Sequence, residues 1–412
     1  MCPQDPPRPA GQPPDALRPR LALGGTFVTQ MAAAFGFMAF TLLAPGLAAE
    51  TGLDERDFSL TVTFMFLAAG LTAPFTGRLV RRLGALRTTV TMLAGMAAAV
   101  LVVLHGSWWS AMLASFCFGV FYGPFSPTSM TVMMRNAPAR RRGLLLAVRH
   151  TSVPLAGVVA GRALPPLMLA YGWQLGVLSA SGVVLAAALL ALALAPAFRL
   201  PDIHDRFEDT PSGANVAGRR LATLFHAPRE LRLLWGAALC FAVTQVAMTA
   251  MTYFFVLEVL KLSPVAAGIF ASNIQIAGAV GRPLLGWLSD RTGAPQLVLA
   301  AIALTASLAT LLLLLAPTGL PATLLVALAL LCGLAGQTWS PVFVTALSFR
   351  VAPERQAEIT GRTFSVAAIG WTAAAPLFWG LIETSGSYVL PFALVMIANA
   401  GLAVLLARYA RN

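Results

Sequence analysis

Twelve apolar stretches, each near the roughly 20 residues that a helix needs to cross a bilayer, fill almost the whole of this chain. Of its 412 residues 58% are hydrophobic and only 11% are charged. A soluble domain of this size could not cover its surface with so few charges, so the bilayer is the expected solvent. The stretches predict helices near 24–48, 58–79, 88–105, 108–134, 143–170, 173–197, 231–258, 262–287, 296–316, 320–348, 358–384 and 387–408, numbered below as segments 1 to 12.

The second six segments repeat marks of the first six. Pro74-x-x-Gly77-x-Leu79-x-x-Arg82-x-Gly84 returns 209 residues later as Pro283-x-x-Gly286-x-Leu288-x-x-Arg291-x-Gly293. Val28-Thr29-Gln30 answers to Val243-Thr244-Gln245 at an offset of 215. Gly119 with Ser126-Pro127 answers to Gly333 with Ser340-Pro341 at 214, and Arg149-x-x-Ser152-Val153 to Arg362-x-x-Ser365-Val366 at 213. Each short match is weak alone, but four in the right order at nearly constant offset imply a duplicated six-helix unit. That design holds a solute between its halves.

The formal net charge of +12 does not mark a nucleic-acid partner. All but one of the 28 basic residues are arginine, the exception being Lys261. The arginines concentrate in the tails and in junctions 2–3, 4–5, 6–7, 8–9 and 10–11, whereas the opposite loops carry Arg56 and Lys261 against Glu50, Asp54, Glu55, Asp57, Glu258 and Glu383. This positive-inside bias places both termini in the cytoplasm, in a multi-pass protein of the cell inner membrane. The expected organisation is a disordered tail (1–20), a first six-helix bundle (21–197), a cytoplasmic linker (198–230) and a second bundle (231–408), with no signal peptide. Cys2, Cys117, Cys240 and Cys332 sit singly and read as small apolar fillers, not as metal ligands.

The chain resembles the major facilitator superfamily across residues 21–408. Gly286-Trp287-Leu288-Ser289-Asp290-Arg291-Thr292-Gly293 matches that family's G-x-x-x-D-R-x-G signature, although Ala294 and Pro295 stand where a further basic residue is usual. The first copy carries Arg81 where an acid is expected, and Tyr171-Gly172-Trp173 is also common in the family. Gly281-Arg282-Pro283 looks like the arginine-proline pair of monocarboxylate transporters and their bacterial relatives, without the corresponding lysine in segment 1. The resemblance implies an all-α membrane fold of twelve helices in two six-helix bundles and an alternating-access carrier. It also implies that segments 1, 4, 7 and 10 border a central path, with 2, 5, 8 and 11 contributing from between. The family's antiporter signature in segment 5 is not met, because Gly161 is followed by Arg162.

Arg149, Arg162, Arg282 and Arg362 lie within predicted helices, where an arginine costs about 2.5–3.5 kcal/mol at the helix centre. Arg149 and Arg362 are repeat mates, which suits a gate. Arg282 answers to Ala73 and Arg162 to Ala375, and an arginine that breaks the repeat suits a substrate, which is itself not symmetric. No acidic residue lies near a helix midpoint, so the expected cargo is a small organic anion or monocarboxylate. His150 is the candidate for carrying a co-transported proton.

Helical spacing gathers further candidates: Gln275 with Arg282 in segment 8, with Gly278 between them leaving room for a ligand; Gln245, Thr249 and Thr252 in segment 7; Tyr122, Ser126 and Ser129 in segment 4. Gln30, Trp339 and Trp371 complete the set. The expected gate comprises Gly77, Arg81, Arg82, Gly84, Arg149, Gly286, Asp290, Arg291, Gly293, Glu358 and Arg362, with Asp290 meeting Arg142 or Arg149 and Arg81 meeting Glu358. The residues supply no convergent acid, base, cofactor or metal site, which speaks against an enzyme. A monomer in lipid is the expected working unit. The alternatives are a multidrug or other small-molecule exporter running on proton antiport, and a non-transporting sensor on a carrier scaffold.

Overall fold

The computed structural model describes residues 18–51, 60–136, 148–195, 232–348, 350 and 353–410, and no strand occurs among them. Residues 1–17 of the expected tail, the expected linker and Arg142 lie outside this set, whereas 18–20, expected as disordered tail, are the first turn of a helix. The helices are α1 (Arg18–Leu42), α2 (Ala44–Thr51), α3 (Thr61–Thr72), α4 (Thr76–Leu83), α5 (Ala85–Leu101), α6 (Trp108–Asn136), α7 (Ser152–Tyr171) and α8 (Trp173–Leu194) in the first half. The second half comprises α9 (Arg232–Val246), α10 (Thr252–Glu258), α11 (Pro264–Thr292), α12 (Pro295–Leu315), α13 (Ala322–Gln337), α14 (Trp339–Ser348), α15 (Pro353–Ser385) and α16 (Val389–Tyr409). Among the described residues, ten helical runs are long and apolar enough to cross a membrane, and Thr61–Thr72 is a shorter apolar helix.

Segment 1 departs from expectation. It begins at Arg18 and breaks after Leu42, where a single helix had been expected to run on to residue 48. Pro45 has no N–H to give the carbonyl four residues back, which interrupts the hydrogen-bond ladder at this point. The tight junctions turn on glycine: Gly84 (φ 81°), Gly172 (φ 86°) and Gly293 (φ 62°) all occupy positive φ, which side-chain-bearing residues rarely adopt. Two of these are the terminal glycines of the repeated motif. At the start of α11, Ser263 accepts the Ala266 amide at 3.3 Å while Pro264 fills the first turn, a start signal legible in sequence.

The duplication reappears as atomic contacts. Gly119 of α6 lies so close to α3 that an added Cβ would fall 2.2 Å from the Met65 carbonyl oxygen and 2.9 Å from the Ala68 Cβ. Gly333 of α13 meets α11 in the same way, 2.1 Å from the Ile274 oxygen and 2.7 Å from the Ala277 Cβ. Met65 and Ile274 are mates at the 209 offset, as are Ala68 and Ala277. In lipid, where burial of apolar surface gives helices little reason to associate, such close backbone approach supplies the packing. Gly333→Ala is therefore expected to lower stability by about 1–3 kcal/mol through overpacking. Thermal unfolding in detergent checks this, and an unchanged midpoint would contradict it.

The halves meet along two seams, α7 against α11 and α3 against α15. Segments 5 and 8 form the first and segments 11 and 2 the second, so the seams are themselves repeat mates. In the α7–α11 seam Gly161 faces Gly268, the Ser272 hydroxyl donates to the Val158 carbonyl at 3.0 Å, and Arg162 donates to Asn273 Oδ1 at 3.2 Å.

Candidate functional site: a central cavity between the halves

A cavity of about 420 Å³ opens where the two seams converge. Four pairs of repeat mates line it from opposite sides: Met38 and Tyr253, Val62 and Ala271, Met65 and Ile274, Phe66 and Gln275. The cavity thus lies on the axis relating the halves. No aspartate or glutamate lines it among the described residues.

The second half supplies a chain of carboxamides whose polarity is fixed from one end. Trp339 and Trp371 both donate their indole N–H to Gln245 Oε1, each at 3.2 Å. An indole can only donate, so the Gln245 amide must present its oxygen to the tryptophans and its Nε2 to Gln337 Oε1, at 3.5 Å. Gln337 Nε2 then donates to Gln275 Oε1 at 3.2 Å. This leaves the Gln275 amide nitrogen facing Gly157 of the first half, where an added Cβ would stand 3.1 Å from it.

Arg282 joins the same chain for a reason that begins in the backbone. Pro341 lacks the N–H that would close the helical bond to the Gln337 carbonyl, and the helix breaks between α13 and α14. Arg282 Nε takes that carbonyl at 2.7 Å while Nη2 reaches Gln337 Oε1 at 2.9 Å. Its remaining Nη1 makes a long 3.4 Å contact to the His150 carbonyl across the halves. The guanidinium is half-buried and tied to two cavity-lining residues.

In the first half Arg149 Nη2 donates to Gln30 Oε1 at 2.8 Å, and Tyr122 hydrogen-bonds with the same glutamine. Arg149 is 0% exposed, and its Nε and Nη1 have no hydrogen-bond partner among the described residues. Gln30 and Gln245, repeat mates, therefore do comparable work, each hydrogen-bonding side chains from two neighbouring helices.

The cavity brings together Tyr122, Ser126, His150, Gln245, Thr249, Gln275 and Trp371 of the expected set. Others stand elsewhere. Arg162 faces Asn273 in the seam and does not line the cavity. Thr252 is turned away because a π turn, Ala247–Met251, shifts the register; its hydroxyl bonds the Ala247 carbonyl five residues back. Trp339 is 1% exposed, stacked on Phe241 behind Gln245, and Gln30 is buried beneath Tyr122. Ser129 is buried beside a small separate pocket. The room expected at Gly278 is filled by Gln337, whose Cβ would be 2.7 Å from an added Cβ there.

The gate expectations fare differently. Arg149 and Asp290 do not pair, since Arg149 is sealed against Gln30 whereas Asp290 is exposed. Arg82 and Arg291 are exposed, the latter stacked over Trp287 at 5.2 Å, and a Cβ added at Gly286 would stand 4.0 Å from the Pro341 Cβ. At Gly77, Arg81, Glu358 and Arg362 only the helical backbone is described, so the expected Arg81–Glu358 contact lies outside the described residues. The sequence reading missed Gln337, the hub of the site. Its signals were a glutamine inside an apolar run and a proline four residues on.

Gln245→Leu removes the acceptor shared by both indoles, and is expected to cost about 2–3 kcal/mol for the disrupted buried donors. Intrinsic tryptophan fluorescence should shift at once, and a spectrum and melting midpoint identical to wild type would contradict the arrangement.

An all-helical membrane protein of duplicated design, with a solute-sized cavity where its halves meet, is a carrier. The chain belongs to the Major Facilitator Superfamily, whose family model matches residues 26–375, and it is a secondary transporter of that family. It is 23% identical over 296 residues to a multi-drug resistance efflux pump PmrA homolog of Lactococcus lactis, covering 68% of this chain and 69% of that protein. It is 27% identical over 282 residues to a probable nitrate/nitrite transporter NarK2 of Mycobacterium tuberculosis, covering 66% and 68%. Among solved structures, a peptide transporter POT in complex with sulfate superposes with a TM-score of 0.74 at 17% identity over 95% of both chains. A POT family transporter in complex with 5-aminolevulinic acid gives 0.73 at 12% identity, over 94% and 96%. These likenesses carry the fold.

Proposed function

We propose that this chain carries an organic anion across the cell inner membrane by alternating access, as twelve spans in two six-helix bundles with both termini in the cytoplasm. The observation that carries the reading is electrostatic. Arg282 bonds to two lining residues and Arg149 lies behind the wall, no carboxylate lines the cavity among the described residues, and Nε and Nη1 of Arg149 have no partner among them. Buried positive charge without a matching acid attracts a negative ligand. Similarity to a nitrate/nitrite transporter supports an anionic cargo.

His150 lines the cavity next to Arg149, with its carbonyl bonded by Arg282, and is the proposed route for any coupled proton. A second reading, export of apolar drugs, is favoured by the efflux-pump relative and by the apolar share of the lining. It is opposed by the absence, among the described residues, of a lining carboxylate to exchange a proton against a cationic drug. Proteoliposomes loaded with radiolabelled carboxylates or hydrophobic cations decide between them. Carboxylate flux with no cation flux is expected, and the reverse would overturn the anion reading.

A further inference from the structure

The repeat shows where the two walls of the cavity differ. Phe66 stands where its mate is Gln275, Ala73 where its mate is Arg282, and Gly123 where its mate is Gln337. All three differences act in one direction: the first half offers an apolar or small residue, the second half a hydrogen-bonding or charged one. A cavity on a symmetry axis would suit a symmetric or featureless solute if its walls matched. These positions do not match: they set an oily side at Phe66 against a side backed by the Arg282 charge, in a lining where the first half also places Tyr122, Ser126 and His150.

The oily side is aromatic. Phe37 meets Phe66 edge-on at 5.8 Å, and Phe66 stacks on Trp371 at 5.9 Å with an interplanar angle of 27°. Phe66 belongs to α3 and Trp371 to α15, so this wall is built by both halves along their second seam. Trp371 is held in place by its bond to Gln245. The cationic side offers Arg282 Nη1, whose contact to His150 is long, and the Gln275 amide nitrogen. Arg149 is sealed from the cavity, and Arg282 stands directly behind two of its lining residues, Gln337 and His150. The volume decides size: about 420 Å³ is the space of some 14 water molecules at about 30 Å³ each, far more than an inorganic oxyanion or a two-carbon acid fills.

Resting on the anion reading above, we infer that the cargo is an amphiphilic monocarboxylate with an aromatic ring. The carboxylate lies toward Arg282 and Gln275, and the ring lies against Phe66 and Trp371. A ring seated there touches both halves, so binding and the relative movement of the halves are coupled through it.

The test is calorimetric titration of purified protein with 3-phenylpropionate, 3-cyclohexylpropionate, acetate, nitrate and 3-phenylpropylamine. The inference expects 3-phenylpropionate to bind about 100-fold more tightly than acetate or nitrate, from burial of the ring and its stacking. Phe66→Gln, which gives the first wall the residue of the second, should cut that preference below about tenfold, with Phe66→Leu between, as the lost ring contact requires. The unfolding midpoint of both variants serves as the control for folding. Acetate or nitrate binding as tightly as 3-phenylpropionate would overturn the inference while leaving the anion reading intact. The cyclohexyl acid matching the phenyl acid would overturn the aromatic assignment. Tightest binding by the amine, or no binding by any carboxylate to folded protein, would overturn both.

Discussion

Arg282→Ala is expected to reduce carboxylate transport by roughly 100-fold, the equivalent of about 3 kcal/mol for lost charge-assisted hydrogen bonds. Two of the three arms of the side chain are committed to Gln337, at 2.7 and 2.9 Å, and one is weakly held. That committed fork fixes the charge at the cavity edge while leaving an arm for an anion. Lysine supplies the charge but cannot hold both Gln337 oxygens and a ligand at once, so Arg282→Lys should retain a minor fraction of the flux. Arg282→Gln separates charge from packing, because it can still donate to Gln337. If the glutamine variant transports as well as wild type, the positive charge has no part in recognition.

The second large effect concerns movement. At Gly161 an added Cβ would sit 2.5 Å from the Gly268 carbonyl oxygen, and at Gly268 one would sit 2.3 Å from the Gly161 oxygen. The α7–α11 seam can close only because both positions lack a side chain. Gly161→Leu or Gly268→Leu should disfavour the closed seam by about 1–3 kcal/mol, shifting a two-state equilibrium roughly 5- to 150-fold. Transport should fall by at least about tenfold while ligand binding survives, since neither glycine lines the cavity. Ser272→Cys, buried in this seam in wild type, should then react faster with a water-soluble maleimide. Unchanged flux and labelling would show that the seam does not move during transport.

Much of the fold was legible because bilayer-spanning helices leave long apolar runs and the duplication leaves matched glycines. Gly84 and Gly293 marked the tight junctions, and the Gly119 and Gly333 echoes marked real helix contacts. The site was half legible. Breaks in the repeat singled out Arg282, which the structure places behind the lining residues Gln337 and His150, and also Arg162, which meets Asn273 in a seam away from the cavity. A helical wheel assumes 3.6 residues per turn throughout, so the π turn before Thr252 defeated it. Gln337 was hidden because its importance arises from Pro341 freeing a carbonyl, a consequence of chain geometry rather than of residue type.

The account rests on uncompensated positive charge selecting a negative ligand. The most direct measurement is calorimetric binding of a carboxylate and of its own primary amide, matched in shape and differing in charge, to the purified protein. The account predicts that the carboxylate binds and that the amide binds at least about tenfold more weakly, a difference of about 1.4 kcal/mol or more. Equal affinity for the two would contradict it.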